Sequence, residues 1–219
     1  MTTKALGYRE SIALAEKYGI ETPVQVLFSS ADEIAAYTSG RMQYPLVLKA
    51  ILKDAGHKTE LSLVVTNLRS HDEVLDAFSK MSQRTLSVEL ECYVLQEQVR
   101  GVEFIVGGKK DPVFSQTLMF GMGGVYVELT SDFSIRVCPV DYDTAGDMLN
   151  ETKARAFFTE AGFRGHKASR PSGAEFLMKT SKLLEDNKDI VELDFNPVIA
   201  TPEKFYAVDL RIIRQEENQ

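Results

Sequence analysis

At 219 residues the chain is long enough for one large domain or two lobes, each with a buried core. Its 44% hydrophobic and 26% charged content is that of a water-soluble globular protein. A formal charge of −7 argues against a general nucleic-acid or anionic-membrane surface while leaving room for a local phosphate pocket. Cys92 and Cys138 are far apart among apolar neighbours and read as reduced core thiols of a cytoplasmic protein. No apolar run approaches a membrane span, and Met1-Thr-Thr-Lys4 does not lead into a signal-peptide core.

Tyr8, Ile12, Leu14 and Ala15 at helical spacing predict a helix over residues 8–18, with Gly19 as its C′ residue. A short strand, Val24–Phe28, follows. Ser30-Ala-Asp-Glu33 is a capping-box pattern that opens a helix to about Ser39. Tyr44-Pro45 then starts an apolar strand, Leu46–Ala50, interrupted by one lysine. Lys49 reads either as an edge residue that snorkels its ammonium to water or as a point charge aimed at a phosphate. Lys53–Glu60 is a polar loop holding His57 and Lys58. Leu61–Val65 reads as a strand, and Ser70-His-Asp-Glu73 is a second capping box, opening a helix to about Met81.

The second half begins with the strand Cys92–Val99, which turns polar at Gln96-Glu97. Gly101–Gly107 is a further strand, with a turn at Lys109–Pro112. Val125–Glu128 and Ser134–Cys138 read as an antiparallel pair, and Asp143–Thr159 and Ser172–Leu184 as amphipathic helices. The order of elements predicts an α+β architecture with mostly antiparallel pairing. A natural division falls near residue 90, giving lobes 1–90 and 91–219.

Gly121-Met-Gly-Gly124 is not a dinucleotide fingerprint, because the β-forming Val125–Leu129 follows where a helix is required. It reads as a hairpin loop, or as backbone that must come close to a ligand.

The last element is the most informative. Val191, Leu193 and Phe195 alternate with Glu192, Asp194 and Asn196, and Tyr206–Ile212 alternates in the same way. A turn centred on Pro202 and Glu203 sets Asn196 opposite Asp209 and Asp194 opposite Arg211. Directly opposed side chains lie about 5 Å apart at Cβ. A carboxylate and a carboxamide at that separation can share a hard cation such as Mg²⁺, with water and phosphate completing its shell. A solvated polar face on an ordinary hairpin is the alternative.

Taken together, Tyr44-Pro-Leu-Val-Leu-Lys49, His57-Lys58, Val94-Leu-Gln-Glu97, Gly101-Val-Glu103, Asp111-Pro112, Phe120–Gly124, Val127-Glu128, Arg136, Gly162-Phe-Arg-Gly165, Glu192–Val198 and Val208-Asp209 occur in one order. That series resembles the ATP-grasp β subunits of ADP-forming acyl-CoA (acetate–CoA) synthetases, in the succinyl-CoA synthetase superfamily. The resemblance runs from about residue 8 to 213.

It implies an ATP-grasp fold of two α+β lobes with nucleotide bound between them. It also implies an acid–CoA ligase that uses ATP/ADP and Mg²⁺, and a hetero-oligomer with a CoA-binding α subunit whose histidine is phosphorylated. On the same basis Asn196 and Asp209 would hold the metal. Lys49 and Lys58 would hold phosphates, and Gln96 and Glu97 would lie at the adenine. Glu103 would lie near the ribose. Gly121, Gly123, Gly124, Glu128 and Arg136 would line the nucleotide site. Asp194 would orient the phosphohistidine, and His57 would accept or relay the phosphoryl group.

Where the family usually has Gly-Gly, this chain has Ser62-Leu63, whose side chains would either crowd the nucleotide or stiffen the loop. A non-catalytic β-like subunit and another ATP-grasp carboxylate ligase are the alternatives.

Overall fold

In the computed structural model of the chain, residues 2–30, 32–34, 42–53, 63–124 and 132–216 are described. They form two units. The smaller takes Gly7–Arg9 and Pro23–Val99, and the larger takes Met1–Leu6, Glu10–Thr22 and Arg100–Gln219. The division therefore falls later than residue 90, and the first helix belongs mainly to the larger unit. The reason is pairing: the strand that begins at Leu90 is bonded on both sides within the smaller sheet.

That sheet is antiparallel, in the order β2 (Gln25–Phe28), β5 (Leu90–Glu97), β3 (Leu46–Leu52), β4 (Val64–Leu68). β3 is central and every residue in it is buried. Leu46, Leu48, Ala50 and Leu52 alternate onto a core with Phe28, Tyr93 and Leu95. Helix α2 (His71–Arg84) closes this core with Val74, Ala77, Phe78 and Met81. The Tyr93 ring stacks on Phe28 at 5.7 Å and meets Phe78 edge-on at 4.8 Å. The second capping box forms: Ser70 Oγ accepts from the Glu73 amide at 3.2 Å. Glu73 reaches back one residue further than the motif requires, to the Arg69 amide at 2.7 Å.

The larger unit holds the order β1 (Thr3–Ala5), β11 (Leu210–Gln215), β9 (Ile190–Ala200), β6 (Val102–Asp111), β7 (Ser115–Met122), β8 (Phe133–Val137). A short β10 (Phe205–Ala207) pairs with the far end of β9. Helix α1 (Tyr8–Lys17) ends at Gly19, whose φ of +68° is the left-handed geometry that glycine adopts without strain. One face of the sheet carries Phe104, Val106, Leu118, Phe120, Leu193, Phe195 and Ile212, all buried. On the helical side, α4 (Arg170–Asp186) brings Phe176 edge-on to Phe195 and Leu184 so close to Gly108 that any Cβ there would sit 2.6 Å from its methyl.

The predicted 143–159 helix is two elements. α3 (Tyr142–Glu151) stops at Thr152, and a 3-10 turn, Lys153–Phe158, continues. The break lets Phe158 turn inward, where it stacks on Phe104 at 5.7 Å. β6 runs four residues beyond the expected end at Gly107 to Asp111, whose Oδ1 closes the hairpin by accepting from the amides of Val113 and Phe114. Residues 125–131, including the expected Val125–Glu128 strand, lie outside the described residues. Among the described residues no helix is long and apolar enough to cross a membrane.

Candidate functional site

The larger sheet has a second face, opposite its helices, and the hairpin residues lie on it. β11 pairs with β9 as the turn chemistry implies, with Arg211 opposite Asp194 and Leu210 opposite Phe195. The same register continues through the bend, where the Asn196 amide donates to the Asp209 carbonyl at 3.2 Å. Thr201 holds the turn: its Oγ1 accepts from the amides of Glu203 and Lys204. Asn196 is exposed, while Asp194 and Asp209 are half-buried. Two oxygen-bearing side chains, Asn196 on β9 and Asp209 in the break between β10 and β11, both reachable from solvent, match the sparse protein ligation that Mg²⁺ accepts when phosphate and water fill the rest. The residues present thus fit a magnesium–phosphate group. Among the described residues no cluster of three or more His, Cys, Asp or Glu offers a full protein cage.

Gly107 of β6 lies directly opposite Asp194 on one side and Met119 on the other. It is buried, and the Met119 side chain packs over it, 3.1 Å from where a Cβ would stand. The alternation that revealed the hairpin also runs through β6, and this is the signal that finds Gly107. Arg211, opposite Asp194, lies 3.8 Å from Glu192, which balances the charge along β9.

The glycine-rich segment divides. Gly121 and Gly123 serve the sheet: a Cβ at Gly121 would meet the Asp132 carbonyl at 2.8 Å, and one at Gly123 the β6 backbone at 2.9 Å. Neither needs a ligand to explain it. Gly124, at φ +81°, is exposed and faces the Glu103 carboxylate. Glu103 is itself exposed and accepts the Gly123 amide through its carbonyl at 2.9 Å.

Arg136 is the clear departure from expectation. It pairs with Leu118 in the β7–β8 ladder, which places it on the helix side of the sheet, away from Asp194. There its guanidinium is bonded to Glu151 of α3 and to Ser134 Oγ. The hydrogen bonds from Ser134 and Arg136 hold the Glu151 carboxyl below the usual carboxylate range. Arg136 ties α3 to β8 and is removed from the nucleotide-facing set.

In the smaller unit, Lys49 alternates to the face opposite α2, with Val94 as its ladder partner on β5. It is 6% exposed on the central strand, so the edge-snorkelling reading fails. A cation placed this deep requires anionic or hydrogen-bonding company. Gln96 shares that face, 1% exposed, and donates from Nε2 to Gln25 Oε1 at 3.1 Å, which in turn accepts from the Tyr8 hydroxyl at 3.0 Å. Glu97 Oε1 accepts from the Gln43 amide at 2.7 Å, and its own amide donates to Val24. The side chains expected at the adenine are thus engaged in shaping the strand end. Gln25, on β2, is the member of this group that the sequence pattern did not single out. Leu63 is buried in the α2 core, so it points away from the Lys49 face and does not crowd it. His57, Lys58, Ser62 and Glu128 lie outside the described residues.

The chain thus has two α+β units, one with a deeply set lysine on its sheet and the other with an acceptor-rich hairpin, side-chain chemistry suited to phosphate and to a hard cation respectively. Comparisons with known proteins identify the family. The model of the ATP-grasp domain family matches residues 2–213. Acetate–CoA ligase [ADP-forming] I of Archaeoglobus fulgidus is 35% identical over 95% of the chain, which spans 31% of that protein's length. The β subunit of acetate–CoA ligase [ADP-forming] I of Pyrococcus furiosus is 31% identical, covering 93% of this chain and 89% of that one. Acetyl-coenzyme A synthetase 1 of Ca. Korarchaeum cryptofilum, solved with coenzyme A and Ca-AMPCP, superposes with a TM-score of 0.89 at 35% identity, covering 97% of this chain and 94% of that chain. The same protein has been solved with Mg-AMPPCP and its phosphohistidine segment pointing towards the nucleotide-binding site. The chain belongs to the ATP-grasp family, in the group of the ADP-forming acetate–CoA ligases.

Proposed function

We propose that this chain is the nucleotide-binding β subunit of an ADP-forming acyl-CoA synthetase, acting with a CoA-binding α subunit in a hetero-oligomer. The reaction is acyl-CoA + ADP + phosphate ⇌ acid + CoA + ATP, with the phosphoryl group carried on a partner histidine. The observation that carries this reading is the opposed pair Asn196 and Asp209 beside Asp194 on one sheet face. Coverage of 89% of a β subunit at 31% identity supports the subunit assignment.

Asn196 and Asp209 hold Mg²⁺, which when bound neutralises charge on the phosphate oxygens. Lys49 places a fixed positive charge on the phosphates, the kind of positioning on which phosphoryl transfer chiefly depends. Asp194 accepts the N–H of the incoming phosphohistidine and so aims its phosphoryl group. The P–N bond breaks as an ADP oxygen forms the new P–O bond; the P–N electron pair returns to the ring nitrogen, and the imidazole, still carrying the N–H that Asp194 accepts, leaves neutral. Glu103 accepts from ribose hydroxyls. Lys58 and Glu128 are assigned to the nucleotide, and His57 to relay, on resemblance alone.

The test is reconstitution. The chain, an α subunit, acyl-CoA, ADP and phosphate together form ATP, while either subunit alone forms none. With labelled ATP run in reverse, the label appears as acid-labile phosphohistidine. Turnover through an acyl phosphate with no labelled histidine would instead make this chain part of another ATP-grasp carboxylate ligase. The case for a non-catalytic subunit rested on Ser62-Leu63, and the inward-facing Leu63 weakens it.

A further inference from the structure

On the larger unit, away from the carboxylate face, a cavity of about 480 Å³ opens beside the 3-10 turn. Its apolar lining is Met122, Ala156, Phe157 and Phe163. Phe163 is 46% exposed, yet it is firmly held. It stands edge-on to Phe157 at 5.6 Å, and the Arg164 guanidinium lies 5.3 Å from its ring centroid. The turn that carries it is closed at both ends, by Phe163 N to His166 O at 2.8 Å and His166 N to Phe163 O at 3.0 Å. Arg164 at φ +50° and Gly165 at φ +80° complete a tight two-residue reversal.

Phe163 is therefore exposed by a rigid device. The rim is cationic, in a chain whose net charge is −7. Lys153 and Arg155 line it, both exposed, and among the described residues neither side chain makes an ion pair. Among the described residues the one acid in the lining, Asp132, accepts the Lys153 main-chain amide at 2.8 Å. Preformed aromatic, methionine and arginine surface is the composition of an interface anchor site, where a few residues carry most of the affinity.

We propose that this cavity seats an aromatic or long aliphatic side chain of the α subunit, with neighbouring carboxylates of that subunit meeting Lys153, Arg155 and Arg164. The inference rests on the β-subunit reading for the existence of the partner, and it is independent of the nucleotide residues. Charge complementarity selects an acidic segment, and the apolar, aromatic floor with its firmly held Phe163 selects an apolar anchor.

The experiment measures α-subunit association by sedimentation velocity for the full chain and for two variants, Phe163→Ala and Arg155→Glu. Arg155 is on the surface, so Arg155→Glu keeps the test valid if Phe163→Ala misfolds. Each variant is expected to raise the dissociation constant about thirtyfold, as a hot-spot residue does, with Mg-nucleotide affinity unchanged. Unchanged association in both variants overturns the proposal. Octanoate binding to the isolated chain, with α association unaffected, would mark a small-molecule pocket and also overturn it. Failure of the unmodified chain to bind the α subunit refutes the β-subunit reading itself, whereas α association that the unmodified chain makes and neither variant weakens overturns this inference alone.

Discussion

The main-chain amide of Asn196 donates to the carbonyl of Asp209 at 3.2 Å, and this bond sets the two proposed metal ligands across from each other, one on β9 and one in the break between β10 and β11. The consequence is joint dependence. Replacing either side chain leaves one oxygen ligand for a cation that takes few from protein. Asp209→Ala and Asn196→Ala are each expected to abolish the magnesium-dependent part of nucleotide binding while the melting temperature of the ligand-free chain stays put. Calorimetric titration with and without Mg²⁺ checks this, and undiminished metal dependence in both variants would remove the pair from the site.

Lys49 is buried on the central strand of its sheet, where its charge has a defined address. A hydrogen bond involving a charged group contributes about 1.5–3 kcal/mol. Lys49→Met, which keeps the aliphatic stem, is therefore expected to weaken nucleotide binding by about tenfold to a hundredfold. An unchanged affinity would return Lys49 to a purely structural role.

Arg136 leads to the opposite expectation. Because its guanidinium is bonded to Glu151 and Ser134 on the helix side, Arg136→Gln should leave nucleotide affinity unaltered. The effect should fall on the α3–β8 junction, seen as faster amide hydrogen exchange there. A loss of nucleotide affinity comparable to that of Lys49→Met would contradict the placement.

The hairpin register was legible in the sequence because a two-residue turn and period-2 alternation leave little freedom: both Asp194–Arg211 and Asn196–Asp209 pair as the turn dictates. The chain division was harder to read. The apolar run of β5 says that it is a strand, yet nothing local says which sheet it joins, and pairing with β2 and β3 is a long-range event. Arg136 shows the same limit. Its residue type suits phosphate as well as it suits Glu151, and only the β7–β8 register decides which side of the sheet it takes. The break at Thr152 was hidden because Ala154, Phe157 and Phe158 keep a helix-like apolar pattern while serving a tighter turn. Gly121 and Gly123 looked like ligand-approach glycines, but their neighbours are strands.

Phe104 organises the larger core, stacked on Phe205 at 5.6 Å with rings 10° apart and on Phe158 at 5.7 Å. Phe104→Ala should cost about 3–5 kcal/mol of unfolding free energy, since the cavity it leaves is ringed by rigid aromatics. Denaturant unfolding measures this directly. A cost below about 1 kcal/mol would mean that the cluster collapses to fill the gap.

Burial pushes the Cys92 thiol up to about 11, with the neighbouring Glu91 adding to the effect. The folded state thus favours the protonated thiol. The associated stability is complete below the unfolded thiol's pKa and is lost as pH rises from about 9 through 11. At pH 8 the thiolate is scarce, so alkylation of Cys92 by iodoacetamide should be far slower in the native chain than in urea. Equal rates in the two states would contradict its burial.

The most direct test of the central claim is a thermal-shift titration of the purified chain with ATP or ADP, with and without Mg²⁺. At a nucleotide concentration about 100 times its dissociation constant, stabilisation of roughly 2.7 kcal/mol is expected. The account predicts a magnesium-dependent rise in melting temperature that Asp209→Ala eliminates. No shift at millimolar nucleotide, or a shift indifferent to both magnesium and Asp209, would contradict it.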